Sequence, residues 1–110
     1  MKFLTISTVK DTFSMLPVAM ERQLLEATLA WMDGQKKQGK LVEAYEAPGG
    51  TSLVISEHPS AEDLVQTLAA IPMGGFLDFK VHALADFHTS MQVHIEACKQ
   101  AEKAFPAAPK

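Results

Sequence analysis

Two strand-like segments flank a Pro-Gly-Gly turn near the middle of the chain, and this hairpin constrains the fold more than any other feature. Residues 40–47 and 51–57 have the composition of strands, and the turn at Pro48–Gly50 is short enough to join them as antiparallel neighbours. In chain order the sequence predicts a strand at Lys2–Val9, a helix from Val18 to about Gln38, the hairpin, a helix that opens at the N-cap Ser60, a strand at Phe76–Leu84 and a last helix at Asp86–Ala104.

The hairpin joins two strand–helix–strand halves, and this order predicts a ferredoxin-like βαββαβ fold. It is an α+β fold in which a four-stranded antiparallel sheet carries two helices on one face, and the right-handed crossover preference leaves few other ways to connect it. The 110 residues have the length of one domain, which we place at 1–104 with the last helix as an addition. Pro106 and Pro109 indicate a flexible tail over 105–110.

Two helices cover only one face of such a sheet, so the other face must be polar or covered by a second surface. The first strand alternates, and we expect its more apolar side, Leu4 and Ile6, to lie under the helices. The residues expected on the open face are Phe3, Thr5, Ser7 and Val9 of the first strand and Phe76, Asp78, Lys80, His82 and Leu84 of the last. A face of this mixed character predicts a homodimer or higher oligomer packed sheet to sheet, with water or a ligand between the copies.

Composition excludes several classes of partner. A net charge of -3 with a single arginine argues against a nucleic-acid-binding surface. No stretch approaches the roughly 20 apolar residues that span a membrane, and the first residues have no good signal-peptide cleavage site. The lone Cys98 cannot form an internal disulfide, which favours a reducing compartment. We therefore predict a cytoplasmic protein that binds neither nucleic acid nor membrane.

Two histidine-containing features are interpreted as structural. His94 and Cys98 share a helix face at the spacing of metal ligands, but the sequence offers no second pair, so we expect no metal and a buried cysteine. His58 precedes Pro59 in a turn and is expected either to be exposed to solvent or to neighbour the cap of the second helix.

Three segments carry a resemblance to a known family. Gln38–Lys40 ends the first helix, Ser60–Leu64 opens the second, and Leu68–Pro72 leads into the strand at Phe76–Leu84. The last of these resembles a leucine–proline loop followed by an aromatic-x-Asp-x-x-Val-x-x-Leu strand. Over residues 2–86 the chain resembles the muconolactone isomerase-like family of the dimeric α+β barrel superfamily. The resemblance implies a barrel made by two sheets, no cofactor, and proton transfer on a cyclic or aromatic carbonyl compound.

One set of polar side chains suits such chemistry. Asp78, Lys80 and His82 alternate along one strand, so they share a face at about 7 Å intervals. A cofactor-free isomerase needs a base beside a carbonyl and a cation near the enolate oxygen, roles that His82 and Lys80 can fill. The remaining candidates for ligand contact are Glu43, Tyr45, Ser7, Trp31 and Phe76. The alternative is that the three residues form a ladder of ion pairs between protomers.

Three functions stay open at this point. The first is the isomerase. The second is a non-catalytic ligand-binding or oligomerisation module, because Leu41–Tyr45 stands where the family's isomerases tend to have tryptophan and basic or imidazole side chains. The third is cofactorless oxygenation of an aromatic compound, for which Trp31 and Tyr45 are the only support.

Overall fold

A computed structural model describes residues 1–105 and confirms the predicted α+β architecture. The predicted tail at 105–110 lies outside the described residues apart from Phe105. The elements are β1 at Lys2–Val9, α1 at Val18–Lys37, β2 at Leu41–Ala47, β3 at Thr51–Glu57, α2 at Ala61–Ala69, β4 at Leu77–Leu84 and α3 at Phe87–Ala104. Short 3-10 turns at Asp11–Met15 and Gly74–Phe76 precede α1 and β4.

The four strands form one antiparallel sheet in the order β2-β3-β1-β4. In the central pairs Thr5 lies opposite Val54 on one side and Val81 on the other. The pairing of β2 with β3 shifts between Leu41 and Glu43, which is the mark of a β-bulge. The bulge places Leu41 on the same face as Ala44 instead of the face of Glu43.

The helix ends follow from local sequence. Gly39 adopts a φ of 75°, and the N–H groups of Gly39 and Lys40 donate to the carbonyls of Lys36 and Gln35. This Schellman arrangement ends α1 and needs a residue without a Cβ at its left-handed position. At α2 the predicted N-cap is confirmed, because the Ser60 hydroxyl accepts a hydrogen bond of 3.1 Å from the backbone N–H of Asp63.

The side chains of β1 face the opposite way from the prediction. Phe3, Thr5 and Ser7 are buried on the side of the sheet that carries the helices. Leu4 and Ile6 lie on the open face, opposite Ile55 and Leu53. The prediction failed because it assigned the more apolar side of the strand to the helices, whereas here the polar side lies beneath them. The open face of the central strands is therefore apolar.

Few apolar residues are fully buried in the single chain. The buried apolar residues among those described are Phe3, Phe13, Leu64 and Met73. The helix α3 is exposed along almost its whole length and accounts for an elongated shape of 71 × 29 × 21 Å. Cys98 on this helix is exposed, so its predicted burial is wrong. No described helix combines the length and apolar character that a membrane span requires.

Candidate functional site

A cavity of about 480 Å³ lies between the sheet and the helices. Its walls are mainly apolar: Leu29 and Met32 come from α1, and Leu77 and Phe79 come from β4. A volume of this size and a lining of this kind are typical of sites for small organic molecules.

The helix α1 presents polar groups to the cavity as well as apolar ones. Thr28, Trp31 and Gln35 recur at intervals of three and four residues and so share one face of the helix. The Oγ1 of Thr28 and the Oε1 of Gln35 are buried and have no hydrogen-bond partner among the described residues. Two polar atoms of this helix are thus available to a bound molecule.

The floor of the cavity repeats this pattern on the sheet. Thr5 on β1 and Ser56 on β3 are only 4% and 7% exposed, and both line the cavity. Their hydroxyl oxygens also have no partner within residues 1–105. A buried polar group without a partner costs about 1–3 kcal/mol, and native structures retain such groups mainly where a ligand or water meets them.

A neighbouring pair of serines shows the contrasting, satisfied arrangement. Ser7 was predicted to contact ligand, and its hydroxyl lies 2.7 Å from that of Ser52, which lines the cavity. Ser7 therefore orients a cavity residue, because one hydroxyl of the pair donates a hydrogen bond to the other.

An ion-pair cluster closes one end of the cavity. Lys40 lines the cavity, and its Nζ lies 3.4 Å from Oδ1 of Asp63. The other oxygen of Asp63 accepts a hydrogen bond of 2.7 Å from Nδ1 of His58. The hydrogen bond from His58, and then the charge of Lys40, hold the pKa of Asp63 below its usual range.

His58 is buried and not exposed, and it neighbours the cap of α2, the second of the two expectations for it. It is 3% exposed, and its ring centroid lies 6.0 Å from that of Phe3. Nδ1 of the ring donates a hydrogen bond to Asp63. Nε2, the other ring nitrogen, is buried and has no hydrogen-bond partner among the described residues. Sequence reasoning identified the N-cap Ser60 but not the contact between His58 and Asp63 that the same turn brings about.

The other residues singled out in the sequence fall into three places. Trp31 and Tyr45 line the cavity, and the Tyr45 hydroxyl donates to Glu43 over 3.2 Å at the exposed edge strand. Phe76 packs edge to face against Phe13, with ring centroids 5.6 Å apart.

The strand-four set lies on the face of the sheet away from the cavity. Asp78, Lys80 and His82 are exposed there, opposite Thr8, Ile6 and Leu4 of β1. Asp78 also lies 3.8 Å from Lys10. The structure therefore separates these three residues from Trp31, which lines the cavity.

Glu46 is one of the cavity residues that the sequence did not single out, together with Thr28, Gln35 and Ser56. It lies opposite Ser52 and lines the cavity with it. Strict alternation along β2 places Glu46 on the same face of the sheet as Val42. Because of the bulge between Leu41 and Glu43, it is Leu41 that shares the cavity face with Glu46.

Comparison with known proteins assigns the fold. The structure is similar to a crystal structure of muconolactone isomerase, with a TM-score of 0.71 and 25% identity over 78% of this chain and 90% of that chain. It is also similar to 5-chloro-2-hydroxyhydroquinone dehydrochlorinase from Burkholderia phenoliruptrix AC1100 in complex with 2,5-dihydroxybenzoquinone, with a TM-score of 0.63 and 16% identity over 81% of this chain and 98% of that chain. No protein-family model matches the sequence, and no curated protein matches it.

These likenesses define a class of small-molecule-processing proteins with the dimeric α+β barrel fold. Within that class, the resemblance to the muconolactone isomerase-like family is confirmed.

Proposed function

We propose that the cavity between α1 and the sheet binds a small cyclic carbonyl compound and that the protein moves a proton on it. The observation that carries this proposal is the set of four unpartnered polar atoms, on Thr5, Thr28, Gln35 and Ser56, in a cavity that is otherwise mainly apolar. The similarity to muconolactone isomerase supports the type of reaction.

The cavity offers the groups that an enolate mechanism requires. The Glu46 carboxylate is a proton acceptor on the cavity wall, and Thr5 and Ser56 carry hydroxyl donors on its floor. When Glu46 takes the proton from the carbon beside the carbonyl, the electron pair of the broken C–H bond forms the C=C bond of an enolate and the π pair of the C=O bond moves onto the carbonyl oxygen. The hydroxyls stabilise the charge that develops there, and return of the proton at another carbon completes the shift. These steps consume no oxidant or co-reactant.

We assign the open face of the sheet to the assembly of a homodimer. Lys80 and His82 lie at the β4 edge of this face and Glu43 at the β2 edge, with the apolar central strands between them. A twofold axis parallel to the strands brings the β4 edge of one copy against the β2 edge of the other. Lys80, which shares the β4 edge with Asp78, then faces the edge of Glu43 in the other copy on both sides of an apolar centre, an arrangement that suits a self-complementary homodimer.

Solvent exchange tests the catalytic part of the proposal. The wild-type protein is incubated with an unsaturated γ-lactone in deuterated buffer, and proton NMR follows the loss of signal beside the carbonyl. We expect Glu46→Gln to slow exchange by at least about a hundredfold, the usual loss when a general base is removed. The matched control is Glu43→Gln on the same strand but the other face, and it should retain exchange.

Each other outcome points elsewhere. Equal exchange in both glutamate variants removes Glu46 from the mechanism. Loss of exchange in His82→Ala, with Glu46→Gln active, moves the site to the open face. Saturable binding without exchange above the protein-free rate favours the non-catalytic ligand-binding module.

A further inference from the structure

We infer that the cavity selects uncharged cyclic compounds with oxygen functions at two separate edges, and that it discriminates against carboxylates. The inference rests on the proposed function, because it concerns the ligand of the same cavity. It goes further by naming the charge and the hydrogen-bonding pattern of that ligand.

The charges on the cavity wall disfavour an anionic ligand. Among the described lining residues, Lys40 is the only cation and Glu46 the only anion. Lys40 is already paired with Asp63, and no salt bridge is formed by Glu46 within residues 1–105. A carboxylate ligand would lose its hydration without gaining an uncompensated cation, and it would meet the charge of Glu46.

The Asp63 side of this pair is itself fixed. Nδ1 of the buried His58 donates to the carboxylate, and the Ser60 hydroxyl accepts from the backbone N–H of Asp63. Lys40 therefore faces an anion that the start of α2 holds in place. The positive charge of Lys40 is therefore already balanced by Asp63 when a ligand enters the cavity.

The placement of the unpartnered polar atoms favours a ring with polar groups at two edges. Thr5 and Ser56 are diagonal neighbours on adjacent strands, with a spacing of about 7 Å. Thr28 and Gln35 are two turns apart on α1, about 10 Å along the helix axis. The hydroxyls of Thr5, Thr28 and Ser56 both donate and accept hydrogen bonds, so ligand carbonyl and hydroxyl groups satisfy them equally, whereas Oε1 of Gln35 only accepts and needs an O–H or N–H donor on the ligand. A ring with oxygen functions at two edges fits this pattern without carrying charge.

Trp31 makes the inference measurable. It is the only tryptophan in the chain, and it lines the cavity. Its fluorescence therefore reports ligands that enter the cavity without competition from another indole.

The test compares two probes of the same size and shape, para-hydroxybenzamide and para-hydroxybenzoate, by Trp31 fluorescence at neutral pH. We expect the uncharged amide to bind at least about tenfold more tightly. In Asp63→Asn the benzoate should gain about tenfold, because Lys40 loses its partner, while the amide changes by less than about twofold. Glu62→Gln is the control, since it removes the same charge from the neighbouring position of α2.

A second variant avoids the ion-pair cluster. Glu46→Gln removes the wall anion at an exposed position and should raise benzoate affinity severalfold without affecting folding. Benzoate binding as tight as amide binding in the wild type overturns the charge selection but leaves a cavity that binds ligands. No change of Asp63→Asn relative to Glu62→Gln also overturns it. If neither probe changes Trp31 fluorescence or binds by calorimetry, the inference and the proposed function fail together.

Discussion

Replacing Thr5 by valine should stabilise the ligand-free protein and weaken ligand binding. Valine has nearly the shape of threonine but lacks the hydroxyl, and the Thr5 hydroxyl is buried without a partner among the described residues. Removal of an unsatisfied buried hydroxyl recovers part of a penalty of about 1–3 kcal/mol. Since the cavity admits water, we take the lower end, about 1 kcal/mol. For a domain of 110 residues that gain raises Tm by about 4 °C.

Ser7→Ala is the matched control, because Ser7 lies two residues along the same strand and faces the same side. Its hydroxyl is bonded to Ser52 at 2.7 Å, so the substitution breaks a hydrogen bond and leaves Ser52 unpaired. We expect it to destabilise by about 1 kcal/mol, opposite in sign to Thr5→Val.

The assay is thermal unfolding followed by circular dichroism, at one fixed protein concentration and without ligand. The same variants are then titrated with para-hydroxybenzamide by Trp31 fluorescence, where Thr5→Val should bind more weakly than the wild type. If Thr5→Val lowers Tm as Ser7→Ala does, the Thr5 hydroxyl has a partner in solution, and the argument from unpartnered cavity atoms is refuted.

Two further predictions concern the ion-pair cluster and the open face. Because its pKa is lowered from 3.8 in the folded protein, Asp63 contributes stability that is present above about pH 4 and is lost as the pH falls through the lowered value. Urea unfolding at several pH values should therefore show Asp63→Asn less stable than the wild type at neutral pH, with a gap that narrows in acid; a gap independent of pH would contradict the assignment. On the open face, Leu53→Asp should convert a dimer to monomers in native mass spectrometry, because it buries a carboxylate against an apolar strand, whereas His82→Ala should only weaken the dimer. A wild-type protein that is monomeric would refute the proposed assembly.

The order and bounds of the elements were predictable because each boundary has a local cause. Pro48–Gly50 forces the hairpin, Gly39 supplies the left-handed residue after α1, and Ser60 caps α2. Each of these signals acts over fewer than six residues, within reach of sequence reasoning. The predicted strands at Lys2–Val9 and Thr51–Glu57 are confirmed without change.

The sidedness of the sheet was not predictable from alternation alone. Alternation in β1 shows that Thr5 and Leu4 face opposite ways, but it does not show which of them meets the helices. The usual assignment puts the apolar side inward, and the proposed ligand beneath the helices and second copy on the open face require the reverse. The burial of His58 was not predicted for a similar reason. It depends on Phe3, which is distant in the sequence, and on Asp63, which lies in the following helix.

The reversed sidedness ties stability to assembly. The helix-facing side of β1 and β3 carries Thr5 and Ser56, whereas Ile6 and Leu53 lie opposite each other on the open face. In a single chain these apolar side chains of the open face stay in partial contact with water. Their burial would contribute strongly to the free energy of folding. In the proposed homodimer those side chains are buried by the second copy, so unfolding and dissociation are linked. Tm should then rise with protein concentration, as mass action requires of a dimer that is more stable than its monomers. A ligand in the cavity acts on the opposite face of the same strands, so it should raise Tm further without changing the concentration dependence.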